Sequence, residues 1–576
     1  MLAVTIGMKL FTSVFSLFRF FLIFFIYLCT QQETMTNKRT SYTGRRLILM
    51  VIILLAGCIS ILAQGKKSLA KVDYRLEMQG SLSDGNTPLW LNANRYGLSS
   101  LEETNGYVRA VACVHFSKKD AQGYEDNTEE PNTKWDASLG LDMVKPIHYT
   151  SPVVVQQAFG EVRWLKGALT VGSKEWPMEL KNPQLSSGSQ TLGINARPVP
   201  QIRLALSDYW TLPFANGWLH LKGHIAYGMM TDDHWQHDFT QRQSKYADHV
   251  KYHSKAGYLK IGNAEVFCPW SVVLGLEMAT QFGGTAYVPT VTGSELVAKT
   301  GERGLKGLWH AFLPGGADTG EDTYQNVAGN QLGSWLLRVN YDGDDFAASI
   351  YVDKFFEDHS GMFMIDYDGY GEGSEWQQKT HRRVFVYAPK DMMLGAELGF
   401  KQSRWVDQLL FEYLYTKYQS GPIYHDHTAG VADHLGGKDN YYDHYIYPGW
   451  QHWGQVMGNP LFRSPIYNDG EKQDANGKRI EIGNSRFVAL HAGLSGEPLD
   501  RLRYRLLATW QEGLGTYERP WLKKHHNVSL MGEVVYRFDY GWLKGVSLKG
   551  AAGTDIGGIL GNNYGFQLTI AKSGRL

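Results

Sequence analysis

The stretch from Ser420 to Gly458 carries the residue types best suited to ligand chemistry in this chain. Aromatic rings and imidazoles alternate there with carboxylates and amides, and aliphatic residues are few. Aromatic faces stack on sugar rings, and the polar groups hydrogen-bond sugar hydroxyls. The stretch therefore predicts a glycan-contacting loop, although the same residues could simply rigidify it. The candidate contacts are Tyr424, His425, Asp426, His427, Asp439, Tyr441, Tyr442, Asp443, His444, Trp450, His452 and Trp453.

Metal binding and catalysis are the two alternative chemistries for these residues. His425-x-His427 around Asp426, and Asp443-His444, offer imidazole and carboxylate ligands that suit zinc, but the spacing matches no specific motif. GxSxG, HExxH and P-loop patterns are absent, as is a GxGxxG between a strand and a helix. Catalytic pairs of carboxylates have no sequence motif, so a pair that includes Glu357 could not be recognised in this way. We predict no enzyme activity, no metal and no cofactor.

The beginning of the chain predicts export. Two apolar runs precede residue 65, and the second follows the basic stretch that ends at Arg46. We expect residues 1–34 to be an upstream extension, 35–63 a signal peptide cleaved after Ala63, and 64–72 a short N-terminal segment. The alternatives are lipidation at Cys58, which ends a Leu-Ala-Gly-Cys motif, and a retained membrane anchor.

Composition favours an outer-membrane barrel over soluble domains. Gly accounts for 63 of 576 residues and aromatics for 13%, while mean hydropathy is only −0.31. In a barrel, lipid-facing apolar residues alternate with polar lumen residues and cancel in the average. Only two cysteines follow the export region, which excludes a disulfide framework. The net charge of zero removes the electrostatic basis for binding nucleic acid.

Period-two alternation recurs along residues 73–572 and predicts one antiparallel, all-β transmembrane barrel of about 18 strands. Tight turns alternate with long connections, which predicts short periplasmic turns and long extracellular loops. This parity assigns His381–Tyr387 to an external excursion and 418–486 to the longest extracellular loop. The predicted strands are 73–81, 106–117, 134–144, 155–165, 168–173, 201–210, 218–228, 256–266, 270–282, 331–341, 346–353, 391–400, 406–417, 487–495, 501–511, 528–538, 546–556 and 564–571.

Three arginines, Arg501, Arg503 and Arg505, fall on one face of a predicted strand. Such a row needs water or anionic partners, which a wet lumen supplies. It could attract acidic sugars, but a ladder along the wall, paired with carboxylates such as Glu533 or Asp539, is the preferred interpretation. Leu507 interrupts the same polar face without an evident reason.

Several motifs resemble the capsule assembly Wzi family in the version found in Bacteroides-type bacteria. They are GSQTLGINARPVP at 188–200, flanked by VGSKE at 171–175 and DYW at 208–210, FFEDHSGM at 355–362, the SGPIYHD opening at Ser420, and GNPL to SPIY at 458–467. The resemblance spans nearly all of 73–572. It implies an outer-membrane barrel lectin, and because the first strand begins so soon after the cleavage site, helices that plug the barrel must come from loops.

The resemblance also implies the function and the partners. We expect a non-catalytic cell-surface protein of the outer membrane that binds and retains capsular or exopolysaccharide, acting as a monomer. Its other partners would be outer-membrane lipid and the barrel assembly machinery, although the chain ends in Ser-Gly-Arg-Leu, without a terminal aromatic. The alternative is a channel or transporter for small solutes or saccharides, which requires an open lumen.

Overall fold

The computed structural model describes residues 70–117, 135–266, 268–293, 295–313, 329–357, 365–366, 369–371, 373–380, 384–385, 387, 389–424, 427–431, 435–470 and 478–576. The expected upstream extension, signal peptide and Cys58 lie outside these residues, as do His425 and Asp426.

Eighteen antiparallel strands form one closed sheet, which confirms the predicted barrel. The first and last strands close it, with Asp73 opposite Arg575 and their side chains 2.6 Å apart. Strands β1 to β18 are Ala70–Asp84, Thr104–Ser117, Trp135–Ile147, Val154–Trp164, Gly167–Ser173, Gln201–Thr211, Leu219–Met229, Lys251–Ile261, Trp270–Phe282, Asn330–Asp342, Phe346–Glu357, Met392–Phe400, Gln408–Tyr415, Phe487–Leu499, Leu502–Gly515, Pro520–Arg537, Val546–Gly557 and Asn563–Arg575.

The remaining elements lie in the connections. Within the described ranges, three of these are α-helices: α1 (Leu89–Asn92), α2 (Trp235–Thr240) and α3 (Gly304–Phe312). Short turns of 3-10 helix are Ala264–Val266, Gly373–Glu375, Pro465–Gly470 and Gly541–Leu543. Short strands outside the barrel are Tyr246–Asp248, Thr285–Pro289, Leu296–Thr300, Ile365–Asp366, Gly369–Tyr370, Lys379–Thr380, Val384–Phe385, Ser420–Tyr424, Leu435–Lys438, Gln451–His452 and Gln455–Val456. Among the described residues, no helix is both long and apolar enough to cross a membrane.

Alternation along each strand separates an apolar outer face from a polar inner face. On β1, Leu76 and Met78 are more than half exposed, whereas Glu77 and Gln79, which alternate with them, are buried. On β18, the exposed residues are likewise Phe566, Leu568 and Ile570. Successive strand side chains point to opposite faces, so this pattern gives the barrel the apolar exterior that lipid requires.

Connection lengths distinguish the two ends of the barrel. Residues 165–166, 343–345 and 500–501 are tight turns at one end, the short-turn rim, whereas the connections 174–200 and 416–486 begin at the other, the long-loop rim. The parity prediction is confirmed, including the excursion: Val384–Phe385 pairs with Ile365–Asp366 outside the barrel sheet.

Two strands differ most from the prediction, and β11, β14, β15 and β18 each end four residues later than predicted. Strand β8 covers Lys251–Ile261 rather than 256–266, and β16 begins at Pro520 rather than at 528. Residues 520–527 read PWLKKHHN and lack apolar alternation. Where a strand extends beyond the lipid it needs no apolar face, so hydrophobic periodicity cannot mark its end.

Aromatic pairs mark the short-turn rim. Trp135 and Trp164 lie 6.1 Å apart between ring centroids, and Trp270 and Tyr341 lie 4.9 Å apart. All four are at or next to the ends of their strands on this rim. Rings at this position form the girdle at a membrane interface, which accounts for many of the tryptophans without a ligand.

The hydrophobic core lies inside the barrel. Three segments fold into the lumen, residues 87–98, 174–200 and 439–470, and we call them the plug. Trp90, Leu185, Trp450 and Phe462 of the plug belong to one buried cluster that includes wall residues from ten consecutive strands. Those wall residues are Tyr252, Ala279, Leu332, Tyr351, Met393, Leu410, Ala489, Leu507, Met531 and Ala551. The plug therefore consists of segments from three connections.

Leu507 is explained by this arrangement. It faces the lumen between Arg505 and Thr509, and it is 5% exposed because it packs in the plug cluster. An apolar residue on the polar face of a barrel strand thus marks where the plug contacts the wall.

Candidate functional site

The predicted aromatic surface in the second half of Ser420–Gly458 lies in the plug. Tyr441, Tyr442 and Trp450 are at most 1% exposed. The Tyr441 hydroxyl lies 3.0 Å from the Asp391 carboxylate, and the Tyr442 hydroxyl donates to the Gln190 carbonyl oxygen. These rings cannot stack on an external glycan here, which corrects the surface prediction for them. Tyrosine suits a filled polar lumen for the same reason that it suits a sugar-binding surface. Its ring buries apolar area, and its hydroxyl forms a hydrogen bond.

The histidines of this half are also structural. The His452 Nδ1–H donates to the Arg197 carbonyl oxygen at 2.8 Å, and burial lowers the pKa of this imidazole to about 4. The Nδ1 atom of His444 accepts backbone N–H groups of Ile446 and Tyr447 at 3.0 and 3.3 Å, and burial lowers its pKa to about 3. Both rings are neutral parts of the scaffold at pH 7.

The predicted carboxylates support turns. The Asp443 Oδ1 atom accepts the backbone N–H of Ile482 at 3.2 Å, and burial raises the pKa of this carboxyl despite the nearby Lys245. The Asp439 Oδ1 atom accepts the backbone N–H of Asn440 at 3.0 Å. Neither carboxylate is therefore placed to receive a sugar hydroxyl as its main partner.

Other predicted contacts are dispersed. Trp453 is half-buried beneath the Arg197 guanidinium, which lies 4.2 Å from its ring centroid. His427 is half-buried and stacks on Tyr370 at 3.7 Å, with Trp376 5.7 Å away. Tyr424 lies on the short strand Ser420–Tyr424. The structure thus gathers the second half of the stretch in the plug and leaves His427 in an aromatic group elsewhere.

The arginine row is paired with carboxylates. Arg505 lies 3.2 Å from Glu533, Arg503 3.1 Å from Asp407, and Arg501 2.5 Å from Asp539. Arg505 and Glu533 are directly opposite on neighbouring strands β15 and β16, so the pair follows from the register. The row has the geometry of the wall ladder, with its charges already neutralised.

Two of the sequence motifs meet inside the plug. The backbone N–H of Gly193, in the first motif, donates to the Met457 carbonyl oxygen at 3.0 Å. The Asn459 side chain donates to the Gly188 carbonyl oxygen at 3.0 Å, and Asn195 donates to the Val456 carbonyl oxygen at 3.0 Å. A Cβ atom on Gly193 would lie 2.5 Å from the carbonyl oxygen of the adjacent Gly458, so only glycine permits this approach. These motifs build the plug.

A group of cations and tyrosines occupies the long-loop rim, and we call it the rim patch: Lys390, Tyr418, Lys438, Arg486 and Tyr517. The Lys438 ammonium lies 3.5 Å from the Tyr418 ring centroid, and the Lys390 ammonium lies 4.4 Å from it. Arg486 lies 3.7 Å from the Tyr517 ring centroid. The sequence prediction missed this group because its members come from three separate connections. Only Lys438 lies within the stretch from Ser420 to Gly458, and Tyr418 lies just before it.

The rim-patch cations form no ion pair with a carboxylate in the part of the chain that the structure describes, although Asp391 and Asp439 follow the two lysines in the sequence. Among the described residues, Lys390, Lys438 and Arg486 have no ion-pair partner, in contrast to the neighbouring Lys417, which lies 2.5 Å from Glu512. Both lysines are exposed. Tyrosine rings hold the cations in place through cation–π attraction, which leaves the N–H donors of the two ammonium groups available to an anion. The Arg486 Nε–H donates to the Lys417 carbonyl oxygen at 3.3 Å, so only its remaining donors are available. The rim patch can therefore bind carboxylate groups of a solute.

A cavity of about 100 Å³ lies between residues 174–200 and the wall, lined among others by Trp176, Arg203 and Tyr258. The Arg203 guanidinium stacks on Trp176 at 4.2 Å. Ligand sites for small molecules have volumes of roughly 300–1,000 Å³. This cavity is too small for a saccharide.

No protein-family model matches the chain, and no curated protein matches it. Solved structures that are similar include one described as Wzi, an outer membrane protein involved in group 1 capsule assembly in Escherichia coli and a carbohydrate-binding β-barrel (13% identity, 87% of this chain and 84% of that one, TM-score 0.46). Another is Pseudomonas aeruginosa OccK5, with 8% identity over 88% of this chain and 98% of that one and a TM-score of 0.42. A third is Pseudomonas aeruginosa OccK2 in complex with glucuronate, with 9% identity over 89% of this chain and 100% of that one and a TM-score of 0.41. Similarity at this level does not distinguish a capsule protein from a channel.

Proposed function

We propose that this protein is a non-catalytic outer-membrane protein that binds acidic capsular or exopolysaccharide at the cell surface and retains it there. The observation that carries the proposal is the rim patch, where three cations without carboxylate partners stand on tyrosine rings at the end of the barrel with the long loops. The resemblance of the plug motifs to the capsule assembly Wzi family supports the same function.

The filled lumen argues for binding rather than transport. Plug residues Trp450 and Tyr442 are fully buried against wall strands, and Lys181 of the plug forms a buried ion pair with Asp353 of β11. Breaking a buried ion pair by removing one partner costs about 3–5 kcal/mol. Solute passage would require such contacts to open, so the channel is the second interpretation.

The binding test compares two variants that remove the same charge at opposite rims. The first neutralises the rim patch with Lys390→Gln, Lys438→Gln and Arg486→Gln, and the control carries Lys166→Gln, Arg404→Gln and Lys544→Gln at the short-turn rim. Purified proteins in detergent are titrated with polygalacturonate and with neutral dextran. We expect wild type and control to bind polygalacturonate alike and the rim-patch variant to bind at least about tenfold more weakly, since each lost charge contact contributes on the order of 1 kcal/mol.

The cellular test measures polysaccharide retained on cells against polysaccharide shed after gene deletion in an encapsulated host. Complementation with wild type or the short-turn-rim control should restore retention, and complementation with the rim-patch variant should not. Unchanged retention after deletion would overturn the proposal. Conductance of the wild-type protein in planar bilayers would then support a channel.

A further inference from the structure

Two histidines and an aspartate converge in the connection between β7 and β8. His234, His237 and Asp248 each place one potential ligand atom within 4.8 Å of the other two. The His237 Nε2 atom lies 2.9 Å from the Asp248 Oδ2 atom, and the two imidazoles stack with ring centroids 5.2 Å apart. The group is separate from the histidines considered in the sequence stretch.

Local structure explains why these residues meet. His234 is the N-cap of α2, where its backbone is left-handed with a φ of 64°, and His237 lies three residues later in the helix, so that the two rings stack. Asp248 ends the short strand Tyr246–Asp248, where it pairs with Thr285. Tyr246 fixes the His237 ring by an edge contact at 4.5 Å. His234 is exposed, so its ring is free to rotate toward the other two ligands.

The surroundings favour a cation. Asp232 has a buried Oδ2 atom without a hydrogen-bond partner among the described residues, and it interacts electrostatically with both Asp248 and His237. Asp233 and Asp238 add two further carboxylates within the same turn. A buried carboxylate oxygen without a partner is costly, and a positive charge nearby relieves that cost.

We propose that His234, His237 and Asp248 form a binding site for a divalent transition metal, with zinc as its first candidate. Two imidazoles and one carboxylate are a ligand set that zinc accepts, and three protein ligands leave a coordination position for water or a solute oxygen. Ligand atoms around tetrahedral zinc are separated by about 3.3 Å, given bonds of about 2.0 Å. The His237–Asp248 distance is close to this value, and rotation of His234 completes the set. The site does not depend on the proposed polysaccharide function.

The test titrates the full-length protein in detergent, stripped with EDTA, with Zn²⁺ in competition with a chromophoric chelator. His234→Ala removes an exposed ligand and is the main variant, with His237→Ala and Asp248→Asn as companions. His249→Ala is the matched control, because His249 is exposed and adjacent to Asp248 but outside the ligand group. Heat-dependent migration on gels verifies that each barrel is folded.

We expect one zinc ion per wild-type chain, binding at least tenfold weaker in His234→Ala, and no change in His249→Ala. Absence of saturable zinc binding in the wild type, or equal affinity in His234→Ala, would overturn the site and leave the His237–Asp248 contact as a structural ion pair. If His237→Ala does not fold, His234→Ala still decides the outcome, because His234 is exposed and lies outside the barrel wall.

Discussion

In the plug, the Tyr442 ring is fully buried and its hydroxyl donates to a backbone carbonyl, whereas at the rim the half-buried Tyr418 ring lies under two ammonium groups. Both residues belong to the same connection between β13 and β14. In one place tyrosine satisfies its own polar group inside the protein, and in the other it holds unpaired charge at the surface. Residue type alone therefore does not distinguish a scaffold from a binding surface, but the charge balance around the ring does.

Truncation of Trp450 tests the plug side of this comparison most strongly. Trp450→Ala should open a cavity in the central cluster and reduce the stability of the plug by about 3–5 kcal/mol. Hydrogen exchange of residues 441–458 should accelerate, and planar bilayers should show conductance that the wild type lacks. Tyr445→Ala, at a position that is 49% exposed in the same stretch, is the control and should change neither. Unaltered exchange in Trp450→Ala would contradict the role of the plug.

Charge pairing along the wall should show a graded effect. Glu533 lies 3.2, 3.5 and 3.9 Å from Arg505, Lys549 and Arg95, so Glu533→Gln leaves three cations without their shared carboxylate. We expect a loss of about 3–5 kcal/mol in the free energy of unfolding, measured by urea denaturation in detergent.

The matched change at the exposed end of the ladder is Asp539→Asn, which removes the half-exposed partner of Arg501. Its expected cost is at most about 1 kcal/mol, because water screens an exposed pair. Equal losses for Glu533→Gln and Asp539→Asn would show that the lumen is wetter than the buried contacts indicate.

Acidification should loosen the plug through His452. Its pKa is about 4 in the fold and roughly 6.5 in an unfolded chain, so the unfolded state takes up a proton first as the pH falls. The stabilisation is complete above pH 6.5 and is lost toward pH 4, amounting to about 2 kcal/mol between pH 7 and pH 5. Hydrogen exchange of the plug at both pH values measures this, and His452→Gln should reduce the difference. A plug that is as stable at pH 5 as at pH 7 would contradict it.

The smallest effect on stability is expected at the rim patch. Lys438→Gln removes an exposed charge that has no ion-pair partner among the described residues. The free energy of unfolding, measured by thermal denaturation, should therefore change by less than about 0.5 kcal/mol. Binding of polygalacturonate should nevertheless weaken and should depend less on salt. A variant that is destabilised but binds normally would show that Lys438 belongs to the scaffold.

The sequence predicted the barrel well because a membrane imposes period two on every lipid-facing strand. Residues such as Leu76 and Phe566 therefore point outward as expected, and turn parity located the long loops. It did not predict that Tyr441 to Phe462 would enter the lumen, because plug and surface loop share a composition. The only direct sign was Leu507, whose apolar side chain on a polar face becomes meaningful once its buried neighbours are known.

The candidate site was less accessible from sequence than the fold. The rim patch unites residues separated by up to 127 positions, from Lys390 to Tyr517, and its defining property is that its three cations form no ion pair among the described residues. Linear spacing carries no information about that property, since Lys417 beside Tyr418 is paired whereas Lys438 is not.

The plug segment that follows β5 constrains the order in which the molecule can assemble. Within a few residues, Leu180, Gln184 and Leu185 present carbonyl oxygens to Arg338, Arg505 and His491, side chains that occur between 158 and 321 residues later in the chain. Contacts so distant in sequence form slowly, and they form only when the second half of the barrel has been made. Residues 180–185 can therefore reach their final position only when β10, β14 and β15 are in place, which makes this part of the plug one of the late-settling regions of the molecule.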